Sequence, residues 1–159
     1  MSQIDTQAYL DTHLYLVKAI EGLSAEALRW KEKPESWSVT EVLTHLLDHN
    51  LVVSFRIREI LAASAAQLPG FNQDQWVNGQ RGNESNAQEI LETYQALLRF
   101  NILLFGRLTE EDLVKTGINH KGVTVQIPEI VAGFIKHVHH HIGQIERVKQ
   151  AWAQVKQQV

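Results

Sequence analysis

Eight histidines stand in this chain of 159 residues, and four of them fall within five positions, His137-Val138-His139-His140-His141. On a helix, at about 100° per residue, His137 and His141 lie about 40° apart, one turn above the other. Their Cβ atoms would be about 5–6 Å apart, a spacing that lets two imidazoles bite one metal ion. His140 falls about 60° to the other side of His137, while His139 points about 200° away, towards solvent. A second stretch offers a complement: Val42, His45, His49, Val52 and Arg56 follow the same +3/+4 spacing. His45 and His49 can therefore both face the interior. A third imidazole from this stretch would complete a three-histidine set with one tetrahedral position open, the arrangement of a catalytic zinc rather than of a structural one closed by four protein ligands. Imidazole also suits nickel, iron and copper, so the ligand type is better specified than the metal. Spacing alone leaves an alternative open, because a histidine on an apolar face is ordinarily a hydrogen-bonded core residue. His13 and His120 read on spacing as surface residues.

Helices must carry both stretches, and the chain's punctuation agrees. Its three prolines, Pro34, Pro69 and Pro128, fall between segments of helical periodicity. The first segment runs from about Ile4 to Gly22, with Leu10, Leu14 and Val17 as its stripe. A short helical turn at SAEAL and a connection from Trp30 to Trp37 follow. The second opens at Ser38, where Ser38-Val39-Thr40-Glu41 has the pattern of a capping box, and continues to about Ala66. Gln67 to Asn83 reads as a long loop with one helical turn near Trp76. A third segment starts at a further Ser-x-x-Gln box, Ser85 with Gln88, and ends near Leu108. VTVQI reads as a short extended piece. The fourth begins at Pro128, a residue suited to the first helical position. It places Ile130, Phe134, His137, His141, Ile145, Val148, Trp152 and Val155 on one core-facing stripe. Four long amphipathic segments predict an all-α chain, one four-helix bundle domain over 1–159.

Composition removes other chemistries. With no cysteine there is no disulfide scaffold, thiolate zinc site, Fe–S cluster or cysteine nucleophile. Hydrophobic residues at 44% and charged residues at 21% are near globular averages, which argues for a packed core and against disorder. A net charge of −3 gives nucleic acid little to hold. No apolar run reaches the roughly 18 residues of a membrane span, and the N-terminus lacks a signal peptide's apolar segment, so a cytoplasmic protein is expected. HExxH, Glu-x-x-His, Gly-rich phosphate loops and the GxSxG elbow are all absent. Glu41 reads as a cap, Glu129 as a first-turn charge, and Asp48 as a helix-face partner or an acceptor orienting an imidazole.

WSVTEVLTHLLDHN (Trp37 to Asn50) together with HVHHHIGQI (His137 to Ile145) resembles the DinB/YfiT-like superfamily of metal-dependent enzymes. LPGFNQDQW, the Leu-Leu-Arg ending at Arg99 and GINHKGVT extend the resemblance from about Leu28 to Ile145. It implies an up-down-down-up four-helix bundle with a three-histidine divalent-metal site, a homodimer, and ligands at His45, His137 and His141. The resemblance thus selects His45 over His49. Gln144 and His120 match family positions too, the first as a residue of the pocket or behind the ligands, or as a bundle-end hydrogen bond, and the second in a loop capping the site. Trp37 and Trp76 fit the pattern and are expected to pack in the core.

A metal held by three histidines with an open position can lower the pKa of water towards about 7 for hydrolysis. It can equally hold a thiol as thiolate. Because the chain has no thiol, the sulfur must come from a low-molecular-weight cofactor, and the resemblance favours such a thiol transferase. A metal-dependent hydrolase and a non-catalytic metal-binding stress-response protein are the alternatives. The partner is expected to be a small molecule. Arg56, about 16 Å along the helix from His45, and Arg99 are candidates for an anionic thiol's carboxylate, against an ordinary solvated role.

Overall fold

The computed structural model describes residues 3–63 and 65–157. Four long helices form the bundle: α1 (Thr6–Ile20), α3 (Val39–Ala62), α5 (Ala87–Phe105) and α7 (Ile127–Gln157). Short elements join them: α2 (Ala25–Arg29), α4 (Gln73–Gly79), a 3-10 turn (Gly82–Glu84), α6 (Glu110–Leu113) and three strands, β1 (Ala66–Gln67), β2 (Thr116–Ile118) and β3 (Thr124–Gln126). No described helix is long and apolar enough to cross a membrane.

Three of the long helices begin where a side chain serves free backbone amides. Asp5 accepts from the Ala8 N–H to cap α1. At α3 the box forms as expected: Ser38 Oγ accepts from Glu41 N–H, and Glu41 Oε2 accepts from Ser38 N–H at 2.9 Å. The Ser85 box does not form. Asn86 caps α5 instead, its Oδ1 accepting from both Gln88 and Glu89 N–H, because Ser85 closes the preceding 3-10 turn. Helix α3 ends at Ala62, four residues before the expected Ala66, which is taken up by β1.

Side-chain pairs give the helix directions. Asn50 meets Tyr94 and Arg58 meets Asn101, so α3 and α5 run parallel. Thr12 meets Tyr94 and Tyr9 meets Phe105, so α1 and α5 are antiparallel. His45 faces His141 while His49 faces Phe134, so α3 and α7 are antiparallel. Helices one and seven therefore point one way and three and five the other: up-down-down-up. Two parallel neighbours in sequence order need a long crossover, which is why residues 63–86 hold the strand, helix and turn that they do.

The core fixes two corrections to the apolar stripes. On α1 the buried residues are Tyr9, Thr12, Leu16 and Ala19, whereas Leu14 and Val17 are 54% and 41% exposed. Apolar counting missed this face because Thr12 is polar. It is buried with both bonds made, its hydroxyl donating to Tyr9 O and accepting from Tyr94 Oη. A buried cluster around Asn101 continues that line: its Nδ2 donates to Tyr9 Oη at 2.9 Å and to Ser54 Oγ at 2.7 Å, tying α1, α3 and α5 together. On α7 the buried set is Ile127, Pro128, Val131, Phe134, Val138, His141 and Ile145, while Val155 is exposed. Near its end α7 lies beside α2, where Trp152 packs on Trp30 and Lys156 pairs with Glu26, and Val155 faces outward.

The strands form a small sheet in the order β1-β2-β3, β1 parallel and β3 antiparallel to β2, at the end of the bundle where α3 finishes. VTVQI supplies β3, and β1 and β2 are not anticipated by the sequence reading. Gly117 makes the junction possible, because a Cβ there would come within 2.9 Å of both Ile60 and Leu68.

Candidate metal centre

His45 lies two turns into α3, and the Ser38–Glu41 box sets where that helix starts and hence where the imidazole points. It is 1% exposed. Opposite, His137 and His141 stand one turn apart on α7. The three Nε2 atoms converge: His137 Nε2 lies 3.3 Å from His45 Nε2 and 3.1 Å from His141 Nε2. All three rings offer a nitrogen within 4.8 Å of the others. Three nitrogens around a tetrahedral ion, each about 2.0–2.1 Å from it, stand about 3.3 Å apart, close to what is found here.

The hydrogen bonds say which nitrogens are free. His141 Nδ1 donates to Gln144 Oε1 at 2.7 Å, so the neutral ring keeps a bare lone pair on Nε2. His45 Nδ1 and His137 Nδ1 are buried without a hydrogen-bond partner. One N–H can bridge only one pair of the facing Nε2 atoms, which leaves lone pairs pointing at a shared centre. Such a donor set fits a divalent cation.

Burial keeps these rings unprotonated. Desolvation first, then the neighbouring imidazoles, push His45 down to about 3 and His137 to about 4. His141 is also held below the usual range by burial, with Gln144 working in the opposite direction. Ligating imidazoles must be neutral, so the site is already in the required state at neutral pH.

The surrounding residues divide clearly. Trp37 lies against His45 and His141 with ring centroids at 4.9 and 6.3 Å, so it walls the site as well as packing. Trp76, expected in the core, is 40% exposed and packs on Phe71. His49 faces the interior as its spacing allows: it is wedged against His137 at 4.0 Å and stacked on Phe134, and burial pushes it to about 2. Its ring is outside the converging set. His140 is exposed, edge-on to His141, and borders an outer cavity of about 540 Å³ with Trp37, Gln144 and Arg147. His120 and Arg56 border a second cavity of about 280 Å³ together with His49 and His137. Asp48 orients no imidazole; it accepts from Gln80 Nε2 at 2.6 Å on the side facing α5. Arg99 is exposed on α5 beside His13, away from the site.

Sequence reasoning gave Phe71 no role. It lies over His45 and His49 at 6.1 and 6.4 Å and closes the centre from the crossover. The signal available was an aromatic residue directly after the Pro69-Gly70 turn, where Gly70 lets the chain approach the His120 ring to 3.1 Å from a Cβ position.

A helical bundle in which three imidazoles meet between two antiparallel helices can hold a divalent metal, and the chain's relatives share that fold. The signature of the DinB superfamily matches residues 9–145, and the chain belongs to that superfamily. A protein of Oceanobacillus iheyensis named "putative metal-dependent hydrolase" is 22% identical over 131 residues, covering 82% of this chain and 75% of its own. YfiT from Bacillus subtilis, described as "a probable metal-dependent hydrolase with an unusual four-helix bundle topology", superposes with a TM-score of 0.84 at 17% identity. The match covers 93% of this chain and 85% of that one, and at this identity it establishes the shared fold.

Proposed function

We propose that this protein is a divalent-metal-dependent enzyme of small molecules, with His45, His137 and His141 as ligands and transfer from a low-molecular-weight thiol as its reaction. The observation that carries the reading is the convergence of three Nε2 atoms while His141 Nδ1 is tied to Gln144. When bound, the metal supplies a Lewis acid with an exchangeable position, able to make water or a thiol nucleophilic near neutral pH. The protein's own contribution is positional. Gln144 holds the His141 tautomer, burial keeps the three rings neutral, and Trp37 and Phe71 pack their rings against His45. The two flanking cavities give a small molecule access to His141 on one side and to His137 on the other. Since the chain carries no cysteine, a sulfur nucleophile has to be brought by the cofactor.

Hydrolysis is the second reading, favoured by the names given to both relatives. One experiment separates the two. Zinc- or nickel-loaded protein is assayed with monochlorobimane, with and without added small thiols, and in parallel on ester and amide panels without thiol. Thiol-dependent conjugation lost in His141→Ala supports transfer; thiol-independent cleavage lost in the same variant supports hydrolysis. Metal uptake with neither activity removes the enzymatic reading. A homodimer belongs to the same proposal: Leu51 and Phe100 are 54% and 55% exposed and border one depression between α3 and α5. Sedimentation analysis tests it.

A further inference from the structure

The second cavity holds a charge that the metal centre does not need. Arg56, half-buried on its wall, donates from Nε and Nη2 to Pro69 O at 3.1 and 2.8 Å. No carboxylate among the described residues is within ion-pair distance of it. With two of its five N–H groups bonded, the guanidinium keeps a fork of donors, the geometry that matches an oxyanion. Half-burying a cation without a counter-ion is costly, and a bound anion would relieve that cost. His49, Asn119 and His120 line the same space, and so does His137 of the centre, so one small molecule can touch both. A volume of about 280 Å³ limits the occupant to something no larger than the smallest drug-sized ligands.

Gly133 points the same way. A glycine inside a helix is disfavoured relative to alanine, because it gives up more backbone freedom on folding. At this one, on the rim of the cavity, a Cβ would meet nothing within 4 Å. The absent side chain leaves the wall open. One opposing charge borders the space: Glu129, whose Oε2 accepts from Gln126 N–H at 2.8 Å.

We propose that this cavity binds the oxyanion end, carboxylate or phosphate, of the molecule whose other end reaches the centre, with Arg56 as the anchor and His49 and His120 as hydrogen-bonding walls. The second half of that statement rests on the functional reading above; oxyanion binding itself does not.

The test is calorimetric titration of the full-length protein, chelator-stripped and zinc-loaded, with 3-mercaptopropionate, 2-mercaptoethanol and inorganic phosphate. The expected result is that 3-mercaptopropionate binds at least about tenfold more tightly than 2-mercaptoethanol in both forms. Competition by phosphate identifies a phosphate-tolerant subsite and its failure a carboxylate-specific one, both supporting the proposal. Arg56→Gln should reduce the preference to less than about twofold, Arg56→Lys should keep part of it, and Glu129→Gln should raise the affinity. Gly133→Leu should abolish binding of the carboxylate while zinc uptake holds and the melting temperature stays the same or rises. Because this side chain grows into open space, the variant remains informative even if Arg56→Gln loosens the Pro69 loop. Equal binding of charged and neutral thiols in both forms overturns the proposal, as does a preference that survives Arg56→Gln and Gly133→Leu. Failure of zinc to bind with the preference intact in stripped protein would instead remove the functional reading and leave this one standing.

Discussion

Gln144 and the three imidazoles show how little machinery fixes the centre. Without the Gln144 acceptor, His141 is free to place its proton on Nε2, where it blocks coordination. Gln144→Leu is therefore expected to weaken zinc affinity about 10–100-fold in a competitive chelator titration, with little change in fold. Protonation offers an independent check on stripped protein. His45 and His137 stay neutral when folded down to about 3 and about 4, whereas in the unfolded chain they protonate near 6.5. The unfolded state thus binds more protons below about 6.5, and stability falls as pH drops from about 6.5 to about 4, continuing for His45 towards about 3. Each ring contributes at most about 1.4 kcal/mol per pH unit within its window, less after solvent screening, and the window is narrower for His137. Urea denaturation at a series of pH values measures it. A midpoint that does not change between about pH 7 and about pH 4 would contradict the packing described here.

At the scale of elements, α3 is the part that must be aimed. Ser38 does three things at once: it accepts from Glu41 N–H, takes a carboxylate on its own N–H, and donates to Asn83 Oδ1 at 2.6 Å across the end of the crossover. Glu41 also pairs with Lys31 at 3.2 Å. Ser38→Ala removes the cap and the crossover contact together and should cost about 1–2 kcal/mol, lowering the melting temperature by a few degrees. Because His45 lies two turns from that cap, the same variant should bind zinc more weakly than its stability loss alone would give. Differential scanning calorimetry with and without zinc separates the two effects. An unchanged zinc-dependent shift would mean that the helix start does not control the imidazole.

For the whole molecule, the three proposed ligands come from two antiparallel helices far apart in sequence, so the site exists only in the folded bundle. A metal that binds the native state and not the unfolded chain adds about 2.7 kcal/mol when present at about 100 times its dissociation constant. For a chain of this size that is a rise of about 5–10 °C in melting temperature. The rise should disappear on adding EDTA and be absent in His45→Ala and His137→Ala alike, since either variant breaks the link between α3 and α7. A shift that survives in both variants would place the metal elsewhere.

The sequence determined a good deal. Its helical periods, its prolines and the Ser38–Glu41 pattern marked four helices and the start of α3, and the i,i+4 spacing of His137 and His141 placed both on one face. These are local properties, set within one or two turns of chain. What the spacing could not decide was whether His45 or His49 meets that pair, since the two share a face. The resemblance selected His45, and the crossing of α3 and α7 brings its Nε2 to His137 while wedging His49 against Phe134. Nor could spacing show that Thr12 is core, because that depends on finding Tyr94 on another helix. The same holds for Phe71 over the centre and for Arg56 beside His120. Each depends on how segments distant in the chain approach one another, and only tertiary packing sets those distances.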